Sequence, residues 1–176
     1  MSIRDRATDF AIRKHCGTTR KFGNTPYVAH PIAVAARLAE LGFETDVVVA
    51  AVLHDTVEDT DATLDEIKSE FGARVAELVS EVTSDESAIA AIDSSNAKGE
   101  YLAEKMRGMS PGALAIKLAD REDNVSDLST SSTERKEFSS RYARSTQYIM
   151  DNIRSFSTPQ EKTFHESIRD KIRPFL

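Results

Sequence analysis

The amino-acid sequence predicts an all-α protein. Apolar residues recur at the three- and four-residue spacing of a helix along most of the 176 residues, and there is no convincing series of strands with alternating polar and apolar residues. Hydrophobic residues make up 40% of the chain, which is enough to bury a substantial core. We therefore expect a single-domain helical bundle formed by residues 1–176.

Glycine and proline mark the boundaries of the first two helices. We expect one helix from Ile3 to Lys14 that ends near Gly17, and a second from His30 to Leu41. Pro31 fits the first turn of the second helix, and Gly42 fits the position just past its end.

A third helix is expected to carry the apolar run Val47–Leu53. Thr45 or Asp46 can cap its first turn through a side-chain oxygen. Because the run is apolar nearly all round, this helix should be buried.

Two capping boxes open later helices. Thr63 with Glu66 opens a short helix, and Thr158 with Glu161 opens the last helix of the chain. Residues 85–96 are weakly patterned and suggest a mobile connection. The other expected helices cover residues 73–82, about 100–107, 113–128 and 134–153.

Composition excludes several kinds of partner and location. The net charge of −6 and the pI of about 5.3 argue against binding to nucleic acid through a basic surface, so a small-molecule ligand is expected. Cys16 is the only cysteine, which excludes an intrachain disulfide and favours a cytoplasmic location. Met1–Phe10 lacks the apolar core of a signal peptide, and Val47–Leu53 is far shorter than the roughly 18 apolar residues of a membrane span.

The segment His54–Asp59 carries the strongest signal for chemistry. If the third helix continued through it, His54 and Glu58 would share one helical stripe, and Asp55 and Asp59 the next. Three carboxylates beside an apolar wall repel one another and lose hydration, and a bound cation is the simplest way to keep them ionised. The segment therefore predicts a metal site.

Two further segments, 29–31 (Ala-His-Pro) and 117–124, accompany this one. Together the three resemble the HD-domain metal phosphohydrolases, which fold as an HD-type helical bundle. The resemblance implies that one divalent metal per chain is held by four ligands, His30, His54, Asp55 and Asp120. Two imidazoles and two carboxylates suit manganese or iron, and Mn²⁺ is the metal that we expect.

A longer series of motifs lies along the chain, namely Thr25-Pro26-Tyr27, His30-Pro31, residues 53–60, Thr63-Leu64, Phe71-Gly72, Glu81-Val82-Thr83 and Lys117-Leu118-Ala119-Asp120. They resemble the hydrolase domain of RelA/SpoT homologues, of the small Mesh type. The resemblance covers about residues 3–128 and leaves a helical remainder, residues 129–176. It implies a nucleotide substrate, with hydrolysis of the 3′-diphosphate of guanosine tetra- or pentaphosphate to GDP or GTP and pyrophosphate.

The same resemblance implies roles for individual residues. Glu58 and Asp59 match the family's acidic pair, which would orient or deprotonate the attacking water. Arg20 and Lys21 match a basic pair beside the nucleobase, and Asn124 matches an asparagine on the ribose side. Further candidate substrate contacts, which match the family less closely, are Lys98, Lys105, Arg141 and Arg144.

Departures from the family pattern leave the substrate open. Ser126 stands where the family usually has an arginine, and residues 85–95 carry no basic side chain. One alternative is a related phosphatase acting on another nucleotide, such as an adenosine 3′-diphosphate or NADPH. Another is an inactive metal-bearing sensor, although Glu58 and Asp59 are both present. The oligomeric state is not indicated by the sequence.

Three other residues, two histidines and a lysine, carry groups that could serve the site. His15 and His165 lack a local acidic partner motif, and we expect both to be surface or terminal residues. Lys117 lies on the side of its helix that carries Asp120. A role beside the metal and a structural role are both open for this lysine.

Overall fold

The computed structural model describes residues 1–22, 24–84, 92, 95–153, 156 and 158–176. Helices dominate, and the only extended pairing in these ranges is one bridge between Thr19 and Pro26. The all-α prediction is confirmed. The helices are α1 (Ile3–Lys14), α2 (Ala29–Glu40), α3 (Thr45–Leu53), α4 (Thr56–Asp59), α5 (Leu64–Phe71), α6 (Ala73–Val82), α7 (Ser95–Arg107), α8 (Pro111–Ser126), α9 (Thr133–Asn152), α10 (Pro159–Ile172) and a 3-10 turn (Arg173–Phe175).

These helices form two compact units. The first comprises Met1–Ser84 and Ser110–Asp120, and the second comprises Asp85–Met109 and Arg121–Leu176. Helix α8 contributes residues to both. The expectation of a single domain stays a prediction.

Helix α3 lies in the core of the first unit. Every residue of Val47–Leu53 is buried, as the apolar run predicts. Helices α1, α2 and α6 pack against it. A β-carbon on Gly112 would lie 3.0 Å from Leu78 Cδ2 and 3.2 Å from Val47 Cγ2, so α8 approaches α6 and α3 closely at this glycine.

The ends of the first two helices agree with the sequence. Gly17 and Gly42 follow α1 and α2 with φ angles of 82° and 78°, in the left-handed region that favours glycine. The start of α3 does not agree. Glu44 occupies its capping position and no side chain caps the helix, so the expected cap at Thr45 or Asp46 is wrong.

Both predicted capping boxes are present. The Thr63 hydroxyl accepts a hydrogen bond from the Glu66 N–H, and the Glu66 carboxylate accepts one from the Thr63 N–H. Thr158 and Glu161 repeat this pattern at the start of α10.

A carboxylate joins the end of α6 to the start of α8. Glu81 Oε2 accepts a 2.7 Å hydrogen bond from the Ser110 N–H, and Glu81 Oε1 accepts a 2.9 Å bond from the Ser110 hydroxyl. Pro111 occupies the first position of α8, where its missing N–H has no cost.

In the second unit, α7 and α10 pack against α9. The buried residues there include Ala143 and Ile149 of α9 and Phe164 of α10. Most of the predicted connection at residues 85–96 lies outside the described residues, and the part from Ser95 onward belongs to α7. No helix in the described ranges is long and apolar enough to cross a bilayer.

Candidate metal centre

The structure brings together the four residues that the family resemblance implies as ligands. His30 comes from α2, His54 and Asp55 follow α3, and Asp120 lies on α8. His30 Nε2 lies 3.2 Å from Asp120 Oδ1 and 3.7 Å from Asp55 Oδ2. His54 Nε2 lies 3.1 Å from Asp55 Oδ1 and 4.0 Å from Asp120 Oδ1. Both histidines and Asp120 are buried.

A turn in the chain places two of these side chains at the same point. Helix α3 ends at Leu53 and α4 begins at Thr56, so a continuous helix from α3 to Asp59 is not formed. Consecutive side chains of one helix point about 100° apart. In the turn, the side chains of His54 and Asp55 meet instead at 3.1 Å.

The proton on the His54 ring is placed by a hydrogen bond to the backbone. His54 Nδ1 lies 2.8 Å from the Ala51 carbonyl oxygen, which can only accept, so Nδ1 carries the hydrogen. The other ring nitrogen, Nε2, therefore remains as the atom that can coordinate a metal, and it faces Asp55 and Asp120. This nitrogen is buried and has no hydrogen-bond partner among the described residues, despite its short distance to Asp55.

The carboxylate of Asp120 is held in its charged form. Burial alone would raise its pKa, but the Lys117 ammonium and the neighbouring His30 ring hold the pKa of Asp120 well below its usual range. Nζ of Lys117 is 3.3 Å from Asp120 Oδ2. Asp120 is therefore ready to coordinate a cation at neutral pH.

The donor set fits a divalent metal ion. One ligand atom from each of His30, His54 and Asp55 lies within 4.8 Å of the others, and Asp120 Oδ1 lies within 4.0 Å of both imidazole nitrogens. A lone pair on His54 Nε2 and the neighbouring carboxylate oxygens repel one another, and a bound cation would remove this repulsion. Nitrogen and oxygen donors in this combination suit a first-row transition metal.

Glu58 and Asp59 lie on the short helix α4, beside these ligands. Glu58 Oε2 accepts a 2.9 Å hydrogen bond from the Ser84 N–H, which fixes the carboxylate. Burial raises the pKa of both Glu58 and Asp59 above the ordinary carboxyl value, and the charge of Asp55 raises both further. Carboxylates with raised pKa values are better suited to accept or donate a proton near neutral pH.

Tyr27 contacts the metal-centre residue Asp55, and His15 lies against Tyr27. The sequence motifs indicate a role for neither residue. The Tyr27 hydroxyl donates a 2.6 Å hydrogen bond to Asp55 Oδ2. His15 is only 3% exposed, so its predicted surface position is wrong. The sequence contains a signal for this burial, because Ala7, Ala11 and His15 are spaced four residues apart and the two alanines are also buried.

His165, by contrast, is half-buried and lies against Phe156.

The loop that carries Arg20 and Lys21 is tied to the site by backbone hydrogen bonds. The Tyr27 N–H donates to the Thr18 carbonyl at 2.9 Å, and the Arg20 N–H donates to the Thr25 carbonyl at 3.0 Å. Arg20 is half-buried and Lys21 is exposed. Both belong to the first unit, as the metal-centre residues do.

The other expected substrate contacts lie in the second unit. Asn124 and Lys105 are half-buried, whereas Lys98 is exposed. Arg141 and Arg144 are exposed on α9 and line an open groove of about 530 Å³, whose other lining residues are Thr133, Lys136, Glu137 and Ser140. Their roles in binding stay predictions.

The fold and the His/Asp centre define a helical protein of the HD class. A family model described as HD domain matches residues 7–154. The chain therefore belongs to the HD-domain family, and within it to the Mesh-type branch that the sequence motifs predict. The family implies a divalent metal, and the cluster of His30, His54 and Asp55 fits one.

Several known proteins resemble the chain. The human guanosine-3′,5′-bis(diphosphate) 3′-pyrophosphohydrolase MESH1 is 47% identical over 125 residues, which cover 69% of this chain and 67% of the human protein. An enzyme of the same name from Aquifex aeolicus, without the MESH1 designation, is 44% identical over 125 residues, 70% of this chain but only 17% of that protein. The chain therefore spans only a small part of the length of this relative.

Two solved structures have the same fold. One is described as a metazoan ortholog of SpoT that hydrolyses ppGpp; it has a TM-score of 0.79 and 32% identity, with 100% of this chain and 98% of that chain covered. The other is lmo0812 from Listeria monocytogenes, with a TM-score of 0.63, 31% identity and coverage of 85% and 96%.

Proposed function

We propose that the protein is a Mn²⁺-dependent hydrolase that releases pyrophosphate from the 3′ position of guanosine tetra- or pentaphosphate. The observation that carries the proposal is the convergence of two buried imidazoles and two carboxylates on one point, with Glu58 and Asp59 beside them. The relatives named above, which act on guanosine 3′,5′-bis(diphosphate), support this substrate class.

His30, His54, Asp55 and Asp120 are the residues that would hold the ion. When bound, the metal supplies Lewis-acid polarisation of a phosphate oxygen and lowers the pKa of a nearby water. The Nδ1 hydrogen bond of His54 to Ala51 fixes the ring so that its Nε2 would be the nitrogen that binds the ion.

Glu58 and Asp59 are proposed to move the protons. Water attacks the phosphorus atom that is bonded to the 3′-oxygen, a new P–O bond forms, and the bond to the 3′-oxygen breaks. One carboxylate accepts the proton of the water, and a carboxylic acid delivers a proton to the departing 3′-oxygen. Their raised pKa values suit both steps.

Arg20 and Lys21 are proposed to bind the nucleobase, since a planar guanidinium can stack on a base. Asn124 is proposed to contact the ribose, and the cations of the second unit, Lys98, Lys105, Arg141 and Arg144, to contact phosphates. A cytoplasmic location is part of the proposal, because the lone Cys16 is an exposed free thiol, which suits a reducing compartment.

Ser126 favours a second candidate substrate. Its hydroxyl donates back to the Glu122 carbonyl at 2.8 Å, so the position contributes no positive charge to a phosphate. A phosphatase acting on an adenosine 3′-diphosphate or on NADPH would keep the same metal chemistry with different contacts to the nucleotide.

Product analysis separates these possibilities. Chelator-stripped protein, with and without added Mn²⁺, is incubated separately with guanosine tetraphosphate, its adenosine counterpart and NADPH, and the products are resolved by ion exchange. Asp55→Asn should abolish turnover, whereas Asp61→Asn, at an exposed aspartate paired with Lys14, is the matched control. Mn²⁺-dependent GDP and pyrophosphate support the proposal. Cleavage of another nucleotide alone favours the second candidate, and no cleavage favours the inactive sensor.

A further inference from the structure

His15 lies against Tyr27 at the edge of the candidate metal centre. Their ring centroids are 4.9 Å apart and the planes are tilted by 38°. The Tyr27 ring also lies 6.0 Å from the ring of His30. Tyr27 is therefore flanked by two buried histidines, of which only His30 is a candidate metal ligand.

Tyr27 extends this contact to the carboxylates of the site. Its hydroxyl donates a 2.6 Å hydrogen bond to Asp55 Oδ2, and Tyr27 also lies close enough to Asp59 to offset part of the rise in the pKa of that carboxyl. One side chain thus links the buried ring of His15 to a candidate metal ligand. A change in the position of the Tyr27 ring would disturb the Asp55 carboxylate.

Packing alone does not account for a histidine at position 15. Both ring nitrogens are buried, and neither has a hydrogen-bond partner among the described residues. A leucine of similar volume would fill the same space without burying two polar atoms. A buried polar group without a partner needs an explanation, and a role in a neighbouring site is one that the contact with Tyr27 supports.

We propose that His15 is a positioning residue whose ring holds Tyr27, so that the tyrosine hydroxyl orients Asp55 towards the metal. This inference rests on the proposed function of the same site. His15 itself touches neither metal nor substrate in this scheme, and it acts only through Tyr27.

A double-mutant cycle of His15→Leu and Tyr27→Phe tests the proposal. Mn²⁺ affinity is measured by competition with a fluorescent chelator, and kcat and KM are measured for pyrophosphate release from guanosine tetraphosphate. Each single variant should lower Mn²⁺ affinity and kcat by roughly 10- to 100-fold, as changes in residues that orient metal ligands do, with KM little altered. In the Tyr27→Phe background, His15→Leu should cost less than about 2-fold, because its effect passes through Tyr27.

Thermal melting of the metal-free protein separates positioning from a structural role. Leucine removes two unpaired buried nitrogens, so metal-free His15→Leu should melt no lower than the wild type. His165→Leu is the matched control. The His165 ring lies 4.4 Å from that of Phe156 in the second unit, and its loss should change neither Mn²⁺ affinity nor kcat.

Three results would overturn the role of His15. The first is that the losses of Mn²⁺ affinity and kcat in the two single variants add up in the double variant. The others are an unchanged Mn²⁺ affinity in His15→Leu and a lower melting temperature of that variant without metal. The Mn²⁺ measurements need no substrate. Failure of the wild type to cleave guanosine tetraphosphate would therefore contradict the proposed function, while the affinity cycle would still decide the role of His15.

Discussion

Nζ of Lys117 lies 3.3 Å from Oδ2 of Asp120, three residues further along α8. Both side chains are mostly shielded from solvent, with 13% and 12% exposed. Lys117 therefore places a positive charge beside a carboxylate that faces the candidate metal centre. In the metal-free protein this charge stabilises Asp120, whereas in the metal-bound protein it repels the ion.

Lys117→Met should consequently have opposite effects on the two forms. Leaving the Asp120 carboxylate without this partner should destabilise the metal-free protein by about 3 kcal/mol, or roughly 6–12 °C in melting temperature. Mn²⁺ should then stabilise the variant by more than it stabilises the wild type. Paired melts with Mn²⁺ and with chelator measure both effects, and an equal gain from Mn²⁺ in the two proteins would favour a purely structural lysine.

Removal of the metal from the wild type should lower its melting temperature. An ion present at 100 times its Kd stabilises the native state by about 2.7 kcal/mol, which corresponds to roughly 5–11 °C for a chain of this size. Because the proposed ligands come from α2, α8 and the turn after α3, a bound ion would join separate parts of the first unit. Chelation should have a much smaller effect on Asp55→Asn. A wild-type melt that does not change after verified metal removal would contradict the site.

Glu58→Gln and Asp59→Asn should each lower kcat by about 10²–10⁴-fold while Mn²⁺ still binds. Burial raises the pKa of both carboxylates in the folded state, so each costs stability as pH rises through its folded pKa. The metal-free amide variants should therefore melt at or above the wild type near neutral pH, with the gap closing towards about pH 4. Full activity in both variants would exclude these residues from proton transfer.

The stability of the metal-free protein should also depend on pH through His15. Burial lowers the pKa of His15, and the negative charges of Asp55 and Asp59 offset only part of this effect. As pH falls through about 6.5, the unfolded chain binds a proton at this residue before the folded chain does, so the wild type loses stability. The His15→Leu variant has no such loss of stability at this position. The other titratable groups near position 15, including His30 and His54, are present in both the wild type and the variant. The variant should therefore gain in melting temperature relative to the wild type between about pH 7.5 and 5.5. A constant difference would contradict a lowered pKa.

Local chemistry made most helix boundaries predictable. A glycine in the left-handed region ends α1 and α2 at the expected places, and a threonine with a glutamate three residues later opens α5 and α10. These signals act within one turn of chain, so the sequence alone contains them. The four proposed ligands were predictable for a different reason, because their motifs resemble those of a known family.

Features that depend on tertiary packing were not predictable in the same way. Nothing in the residues around His54 shows that α3 ends at Leu53, since the apolar run and the acidic residues after it are compatible with one longer helix. His15 has no acidic neighbour in sequence, and its proximity to Tyr27 arises only when the loop after α1 folds back. The proposed substrate contacts in the second unit are likewise not determined by spacing along the chain.

The hydrogen bonds between Glu81 and Ser110 limit the number of residues that can separate Ser110 from Asp120. They fix where the helix starts, and Asp120 follows ten residues later, about 15 Å along the axis. One residue inserted between Ser110 and Asp120 would rotate the carboxylate by about 100° and move it by about 1.5 Å. The length of this stretch is therefore under the same constraint as the identity of the ligand, and insertions there should be tolerated as poorly as replacement of Asp120 itself.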